Sequence, residues 1–182
     1  MTVIVAYTDG TDTWIGSDRA LINGSIFIIG DAGKWSLYEG WGLGLAGGHR
    51  QCEVVEAHLP ELLESMNLLT PIDLSGRLAK KFREYGITPK TPEQVEEWGV
   101  DGILVRRGAV WDLDAALTPL RWPAGRILAN GYGCAFAEGA AWAYQEYRRS
   151  DEIHPEDIVR VAVEAANKLC PRQCGGLWLR KL

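Results

Sequence analysis

Three residues near the start of the chain have the types and the spacing of a catalytic group: Thr2, Asp18 and Lys34. If the initiator methionine is removed, Thr2 carries a free α-amine, whose ordinary pKa is about 7.7–8.0. Because such an amine is partly neutral near physiological pH, it can accept the proton of the hydroxyl on its own residue. A threonine nucleophile with its own terminal amine is one of the convergent alternatives to the Ser-His-Asp triad.

Lys34 and Asp18 are the residue types that this chemistry needs as support. A cation beside the hydroxyl favours the alkoxide, and a nearby carboxylate keeps a lysine charged and oriented. Asp18 ends the second predicted strand and Lys34 begins the next extended segment, so both can approach the start of the first strand. The alternative interpretation is a partly buried ion pair with no catalytic part, and composition and spacing leave both interpretations open.

Size and charge exclude several function classes. The 182 residues fit one domain, residues 1–182, and the net charge of −5 argues against binding to nucleic acid or to an anionic membrane. The apolar runs are shorter than the roughly 18 residues of a membrane span, and the N-terminus lacks the features of a signal peptide. We therefore expect a cytoplasmic protein, whose four cysteines (Cys52, Cys134, Cys170 and Cys174) are free thiols.

Three other motifs do not fit their usual chemistry. "GDAGKWS" is not a phosphate loop, because Ile28 stands at the first glycine position and Trp35 replaces the magnesium-binding Ser/Thr. The cysteines 170 and 174 lack a second Cys/His pair for zinc. The three histidines lie on predicted helices or at a cap, and none belongs to a Gly-x-Ser-x-Gly elbow, which favours ordinary helix positions. No cofactor is expected.

The order of predicted elements is strands, two helices, strands, two helices and a final strand. Residues 2–8 are apolar on both sides, which predicts a strand covered on two faces. A helical stripe runs from His49 to Met66, and a second helix follows the cap Thr70 and ends at Gly86. Segregated runs of this kind indicate an α+β protein with two sheets stacked between helical layers.

The positions of the three polar residues resemble those of a known family. Counted from Thr2, Asp18 is the seventeenth residue and Lys34 the thirty-third, as in the proteasome β-subunits and the bacterial peptidase HslV. The segments "GSDRA", "GLGLAGG", "ANGYGCAFAEGAAWA" and "CGGLWL" are similar to segments of that family in the same order along the chain.

The resemblance implies the four-layer αββα sandwich of the N-terminal-nucleophile hydrolases, with two stacked antiparallel sheets between helix layers. It also implies cleavage of peptides or unfolded proteins inside a ring, or stacked rings, of identical copies, with an AAA+ ATP-dependent unfoldase as a possible partner. Thr2 would attack the scissile carbonyl, the amide of Gly47 would form the oxyanion hole, Lys34 would supply positive charge and Asp18 would position Lys34.

The same resemblance implies where the substrate lies. The extended segment after Asp18 would pair with the substrate backbone as an added strand, and Gly48 would line the cleft beside it. The residues expected in that segment are Arg19, Ala20, Leu21, Ile22 and Asn23.

Three positions depart from the family pattern. Tyr132 replaces the usual serine of the glycine-rich turn, Pro171 falls at the second aspartate and Cys174 at its partner serine. Because these outer groups tune the amine, Tyr132 and Cys174 are candidate second-layer residues whose change could slow turnover. Two further hypotheses therefore stay open: a catalytically silent scaffold subunit of the same fold, and an N-terminal-nucleophile amidase acting on a small substrate.

Relatives of HslV type can also hold a cation on backbone carbonyls after the penultimate helix. The matching positions are Asn167, Cys170 and Gln173. Pro171 between them argues against such a site, so no metal is expected.

Overall fold

Two antiparallel sheets pack face to face, and two helices cover the outside of each sheet. The computed structural model describes residues 2–23, 26–30, 33–64, 70–90, 96–148, 153–171 and 174–182. The strands are β1 Val3–Thr8, β2 Thr13–Ser17, β3 Ala20–Asn23, β4 Ile26–Ile29, β5 Trp35–Tyr38, β6 Trp41–Gly47, β7 Val100–Arg106, β8 Ala109–Leu113, β9 Pro119–Arg121, β10 Ile127–Gly131 and β11 Trp178–Lys181. The helices are α1 His49–Leu63, α2 Pro71–Glu84, α3 Cys134–Tyr147 and α4 Pro155–Leu169.

The two sheets differ in how their strands are ordered. The first sheet has the order β10-β1-β2-β11 and the second has the order β5-β6-β7-β8-β9, with every described pair antiparallel. Strands β3 and β4 form a separate two-stranded ribbon between β2 and β5 in the chain. Because β1 lies inside the first sheet, the residue before it, Thr2, is held between neighbouring strands.

Successive side chains of β1 point alternately into two of the three apolar layers. Val3, Val5 and Tyr7 pack against α3 and α4, whereas Ile4 and Ala6 pack into the layer between the two sheets. A third layer lies between the second sheet and helices α1 and α2. All six residues of β1 are buried, so the predicted two-sided strand and the predicted αββα sandwich are confirmed.

The second helix begins as its sequence predicts. Pro71 occupies the first helical position, and the backbone N–H of Thr70 donates to Asp73 Oδ2 at 2.7 Å, one half of a capping box. Gly86 follows the end of the helix with φ +67°, the left-handed conformation that stops many helices. Within the described part of the chain, no helix has the length and the apolar composition that crossing a bilayer requires.

Two elements differ from the sequence-based expectation. Helix α1 ends at Leu63, and Glu64 is already extended, because the Arg77 side chain donates to the carbonyl oxygens of residues 61, 62 and 64. The remaining positions of the predicted helix, 65 and 66, lie outside the described residues. Strand β9 was not predicted, since a three-residue segment starting with Pro119 has no periodicity of its own and forms only by pairing with β8.

The layer under α2 gives a direct test of this packing. Leu78 is fully buried in the third layer, whereas Leu169 at the end of α4 is 57% exposed. Leu78→Ala should lower the free energy of unfolding by about 2–5 kcal/mol through lost burial and a cavity. The matched change Leu169→Ala should stay within about 0.5 kcal/mol. Urea unfolding followed by circular dichroism measures both, and equal losses would contradict the assigned layer.

Candidate active site

The carboxylate of Asp18 joins three parts of the chain. Asp18 is fully buried; its Oδ1 accepts the N–H of Val3 at 2.8 Å, and its Oδ2 accepts the N–H of Ala20 at 2.9 Å. The ammonium of Lys34 lies 3.0 Å from the same Oδ2. A single carboxylate therefore contacts Lys34 and the peptide nitrogen that directly follows Thr2.

Lys34 is held at both its backbone and its side chain. Its N–H donates to the hydroxyl of Ser17 at 2.9 Å, and the indole of the next residue, Trp35, donates to the carbonyl of Gly16 at 2.9 Å. The side chain of Lys34 is only 16% exposed. These contacts fix the start of β5 against the end of β2, which directs the ammonium towards Asp18.

Thr2 lies against a glycine-rich turn. It is 9% exposed, and its carbonyl oxygen is 3.5 Å from the N–H of Gly133. Gly131 has φ +96°, and a Cβ added there would overlap the carbonyl oxygen of Thr2. Since only glycine allows this close approach, the turn at residues 131–133 fixes one side of Thr2.

Gly47 presents its N–H away from its neighbour β7. The N–H of Gly48 donates to the carbonyl oxygen of Gly99, so these two residues form a hydrogen-bonded pair. Because bonded and non-bonded pairs alternate along antiparallel strands, the next pair, Gly47 and Val100, is non-bonded. The described ladder between β5 and β6 stops at Gly44, which leaves the β5 side of Gly47 without a described strand partner. Gly47 also has φ +148°, and an added Cβ would lie 2.5 Å from the Gly99 oxygen.

Beside Gly47, Gly48 is the residue that precedes α1. The amide of Gln51 packs against Gly48 and donates to the carbonyl of Trp98 at 2.9 Å. Gly48 therefore borders the end of β6, next to the Gly47 amide.

The expected substrate segment contains an open strand edge. Both backbone groups of Arg19 are already bonded, its N–H to Gly175 at 2.7 Å and its carbonyl to Gly30 at 2.9 Å. The bond from Gly30 makes Arg19 and Gly30 a hydrogen-bonded pair of the ribbon. Because bonded and non-bonded pairs alternate along antiparallel strands, Ile22 lies in a non-bonded pair, and its N–H and C=O point away from β4. Among the described residues β3 has no other strand partner. The backbone N–H and C=O groups of Leu21 and Asn23 alternate with those of Ile22 and point towards β4.

The two second-layer candidates differ in exposure. Tyr132 lies between the two glycines at Thr2, but its side chain is 59% exposed and does not fill the buried site. Cys174 is 1% exposed and lies beside Gly133 and Val3. Burial, with a smaller contribution from the charge of Asp18, raises the pKa of the Cys174 thiol to about 12.

The positions that match the cation site of HslV-type relatives are only partly described, since residue 173 lies outside the described residues. The side-chain N–H of Asn167 donates to the carbonyl of Gly176 at 2.6 Å, and the carbonyl of Cys170 accepts the N–H of Cys174. Asn167 Oδ1 is buried and has no hydrogen-bond partner among the described residues. In that same part of the chain, no three His, Cys, Asp or Glu side chains converge as metal ligands.

Sequence reasoning did not identify Ser17, Gly131 or Gly175 as parts of this site. Ser17 has one detectable signal, since it is a hydroxyl residue directly before the candidate Asp18. The other two act through backbone groups, and the glycine-rich character of their segments was the only indication.

Replacing Asp18 by alanine should destabilise the protein strongly. The change leaves two buried N–H groups without their acceptor and removes the carboxylate that pairs with Lys34, so we expect a loss of about 3–5 kcal/mol in the free energy of unfolding. Asp12, which pairs with Arg107 and Lys181 at the surface, is the matched control and should lose much less as Asp12→Ala. Similar losses in urea unfolding would contradict the structural role of Asp18.

The raised pKa of Cys174 predicts an inert thiol. At pH about 8.5 an ordinary cysteine is half thiolate, but folded Cys174 should remain protonated and resist iodoacetamide. Peptide mass spectrometry should find it alkylated only after the protein is unfolded in guanidinium chloride. Rapid alkylation of the folded protein would show that the thiol is accessible and ionised.

The fold was compared with solved structures. BPH from Thiobacillus denitrificans in complex with epoxomicin is 16% identical with TM-score 0.76, covering 100% of this chain and 98% of the other. A second structure of the same BPH has the same identity and TM-score and is covered to 97%. Eukaryotic HslV from Trypanosoma brucei is 20% identical with TM-score 0.73, at 99% and 98% coverage.

Sequence comparison adds nothing to this result. No protein-family model matches the chain, and no curated protein matches it. The structural likeness spans the whole chain, and the two sheets with their four helices have the N-terminal-nucleophile hydrolase fold of the proteasome type.

Proposed function

We propose that the chain is a threonine peptidase whose nucleophile is Thr2, released by removal of Met1. The observation that supports this most is the buried Asp18 carboxylate, which contacts both Lys34 and the peptide group that follows Thr2. A structural ion pair alone would not need the same carboxylate to bind the backbone directly after Thr2 as well.

The proposed reaction has two halves. The α-amine of Thr2 accepts the proton of the Thr2 hydroxyl, and the oxygen attacks the substrate carbonyl carbon. The N–H of Gly47 stabilises the oxyanion, an effect worth roughly 3–4 kcal/mol where one such donor has been removed elsewhere. The amine then protonates the leaving nitrogen, which leaves an acyl-enzyme. Water hydrolyses the ester with the amine again acting as base.

Lys34 and Asp18 act on this reaction through charge. The ammonium of Lys34 favours the developing alkoxide and opposes protonation of the amine. Asp18 is a positioning residue, because its contact holds Lys34 in place and its two backbone bonds fix the neighbouring strands.

An extended peptide fits this site better than a small amide does. The outward N–H and C=O of Ile22 on β3 offer paired backbone bonds to a substrate strand. A small amide would leave this edge unused. We therefore favour peptides or unfolded protein over the amidase hypothesis.

The proposal extends to the architecture of the whole protein. We propose a single domain over residues 1–182, without Met1 in the mature form, that assembles into a ring of its own copies and receives substrate from an AAA+ unfoldase. The support is the full-length structural likeness to HslV. The silent-scaffold alternative is favoured by Tyr132, Pro171 and Cys174, which replace polar groups of the family pattern.

Intact mass and an epoxyketone probe test the proposal. The purified protein should lack one methionine and gain one epoxomicin adduct on Thr2, located by peptide mass spectrometry. Cleavage of fluorogenic peptides should disappear in Thr2→Ala and fall by several orders of magnitude in Lys34→Ala.

Cys174→Ala is the matched control, because a buried thiol beside the site should not carry the reaction. Its peptide cleavage should persist, and near-ultraviolet circular dichroism checks the folding of each variant. Retained methionine with no adduct would favour the scaffold hypothesis, and wild-type rates in Lys34→Ala would rule out the proposed mechanism.

A further inference from the structure

A second group of linked polar side chains lies on the surface formed by α1 and α2. His58 Nε2 is 2.6 Å from the hydroxyl oxygen of Tyr85, and His58 Nδ1 is 3.1 Å from Glu61 Oε2. The rings of His58 and Tyr85 are tilted, with centroids 5.2 Å apart. The three side chains therefore have the order nucleophile, base and orienting carboxylate.

The charge of Glu61 determines which nitrogen of His58 carries the proton. Hydrogen bonding to Lys81 at 2.8 Å lowers the pKa of Glu61, so its carboxylate can only accept. His58 Nδ1 must then be the donor, and in the neutral imidazole Nε2 has the free lone pair. That lone pair accepts the hydroxyl proton of Tyr85.

We propose that Tyr85 is an activated nucleophile and a covalent modification site for reactive acyl donors, with His58 as its general base and Glu61 as a positioning residue. The site is separate from Thr2 and does not depend on the proposed peptidase function. Its histidine, His58, is one that the sequence analysis interpreted as an ordinary helix position.

The surroundings suit a small reagent. Tyr85 is 44% exposed as a residue, and the side chain of His58 is 24% exposed. The guanidinium of Arg50 donates to the Tyr85 carbonyl at 2.5 Å, which holds the end of α2 in place and leaves the hydroxyl for His58. Lys81 also bonds Glu84 at 2.9 Å, and the two carboxylates raise the pKa of Lys81 to about 12, so a charged ammonium stays beside Glu61.

The step is an acyl transfer from an aryl ester. The Tyr85 oxygen bonds to the ester carbonyl carbon of p-nitrophenyl acetate while its proton passes to His58 Nε2. The tetrahedral intermediate collapses, the carbon–oxygen bond to p-nitrophenolate breaks, and the imidazolium later releases its proton to water. The products are O-acetyl Tyr85 and p-nitrophenolate.

The experiment uses the full chain carrying Thr2→Ala, so that the proposed peptidase nucleophile does not contribute. The protein is treated with p-nitrophenyl acetate, and acetylated peptides are quantified with time by mass spectrometry. Hydroxylamine removes acetyl esters from tyrosine but leaves acetyl-lysine, which distinguishes the two. Tyr85 should react at least about 100-fold faster than Tyr147, which is 85% exposed, as expected for general-base catalysis.

Three variants assign the roles. His58→Gln should slow acetylation of Tyr85 by at least about 100-fold, and Glu61→Gln should slow it less, because the imidazole remains but its tautomer is no longer fixed. Tyr147→Phe is the matched control for Tyr85→Phe and should leave p-nitrophenolate release unchanged. Thermal unfolding checks that each variant is folded.

Two results would overturn the proposal. Equal acetylation rates at Tyr85 and Tyr147 would mean that the phenol is not activated. Undiminished p-nitrophenolate release in Tyr85→Phe would assign the nucleophile to His58 itself. If His58→Gln does not fold, the rate of Tyr85 acetylation in Glu61→Gln decides whether His58 and Glu61 act on Tyr85, and an unchanged rate would overturn the proposal.

Discussion

The buried carboxylate of Asp18 is the interaction on which the rest of the site depends. An isolated charge in the protein interior is costly, so it must be matched by donors and a counter-charge. Asp18 obtains these from Val3, Ala20 and Lys34, which belong to three different segments. Because one group satisfies all three, the start of β1, the start of β3 and the position of Lys34 are geometrically coupled.

Backbone groups form the other half of the site, and glycine makes this possible. At Gly47 and Gly131 the backbone has a positive φ and lies so close to neighbouring backbone that a Cβ would overlap it. The first presents an N–H at a strand edge that has no partner among the described residues, and the second closes against Thr2. The surroundings of Thr2 are thus set in part by backbone geometry, which sequence patterns describe poorly.

The sequence predicted what is local and missed what depends on distant contacts. The two-sided burial of β1 follows from its alternation, and the start of α2 follows from the cap at Thr70, so both were predictable. Strand β9 forms only by pairing with β8, and the partner of His58 at Tyr85 lies 27 residues away. Proximity of Asp18 and Lys34 could be expected from strand order, but the two backbone bonds of Asp18 could not.

The anchoring of β1 has a consequence for the proposed removal of Met1. The bonds that fix its beginning start at the N–H of Val3, and the pairing with β2 and β10 continues from there. None of these contacts requires a free nitrogen on Thr2. Under the proposed function, removal of Met1 would turn the amide nitrogen of Thr2 into an amine without breaking any of these bonds, so the untrimmed chain would be inactive for a chemical reason and not a conformational one.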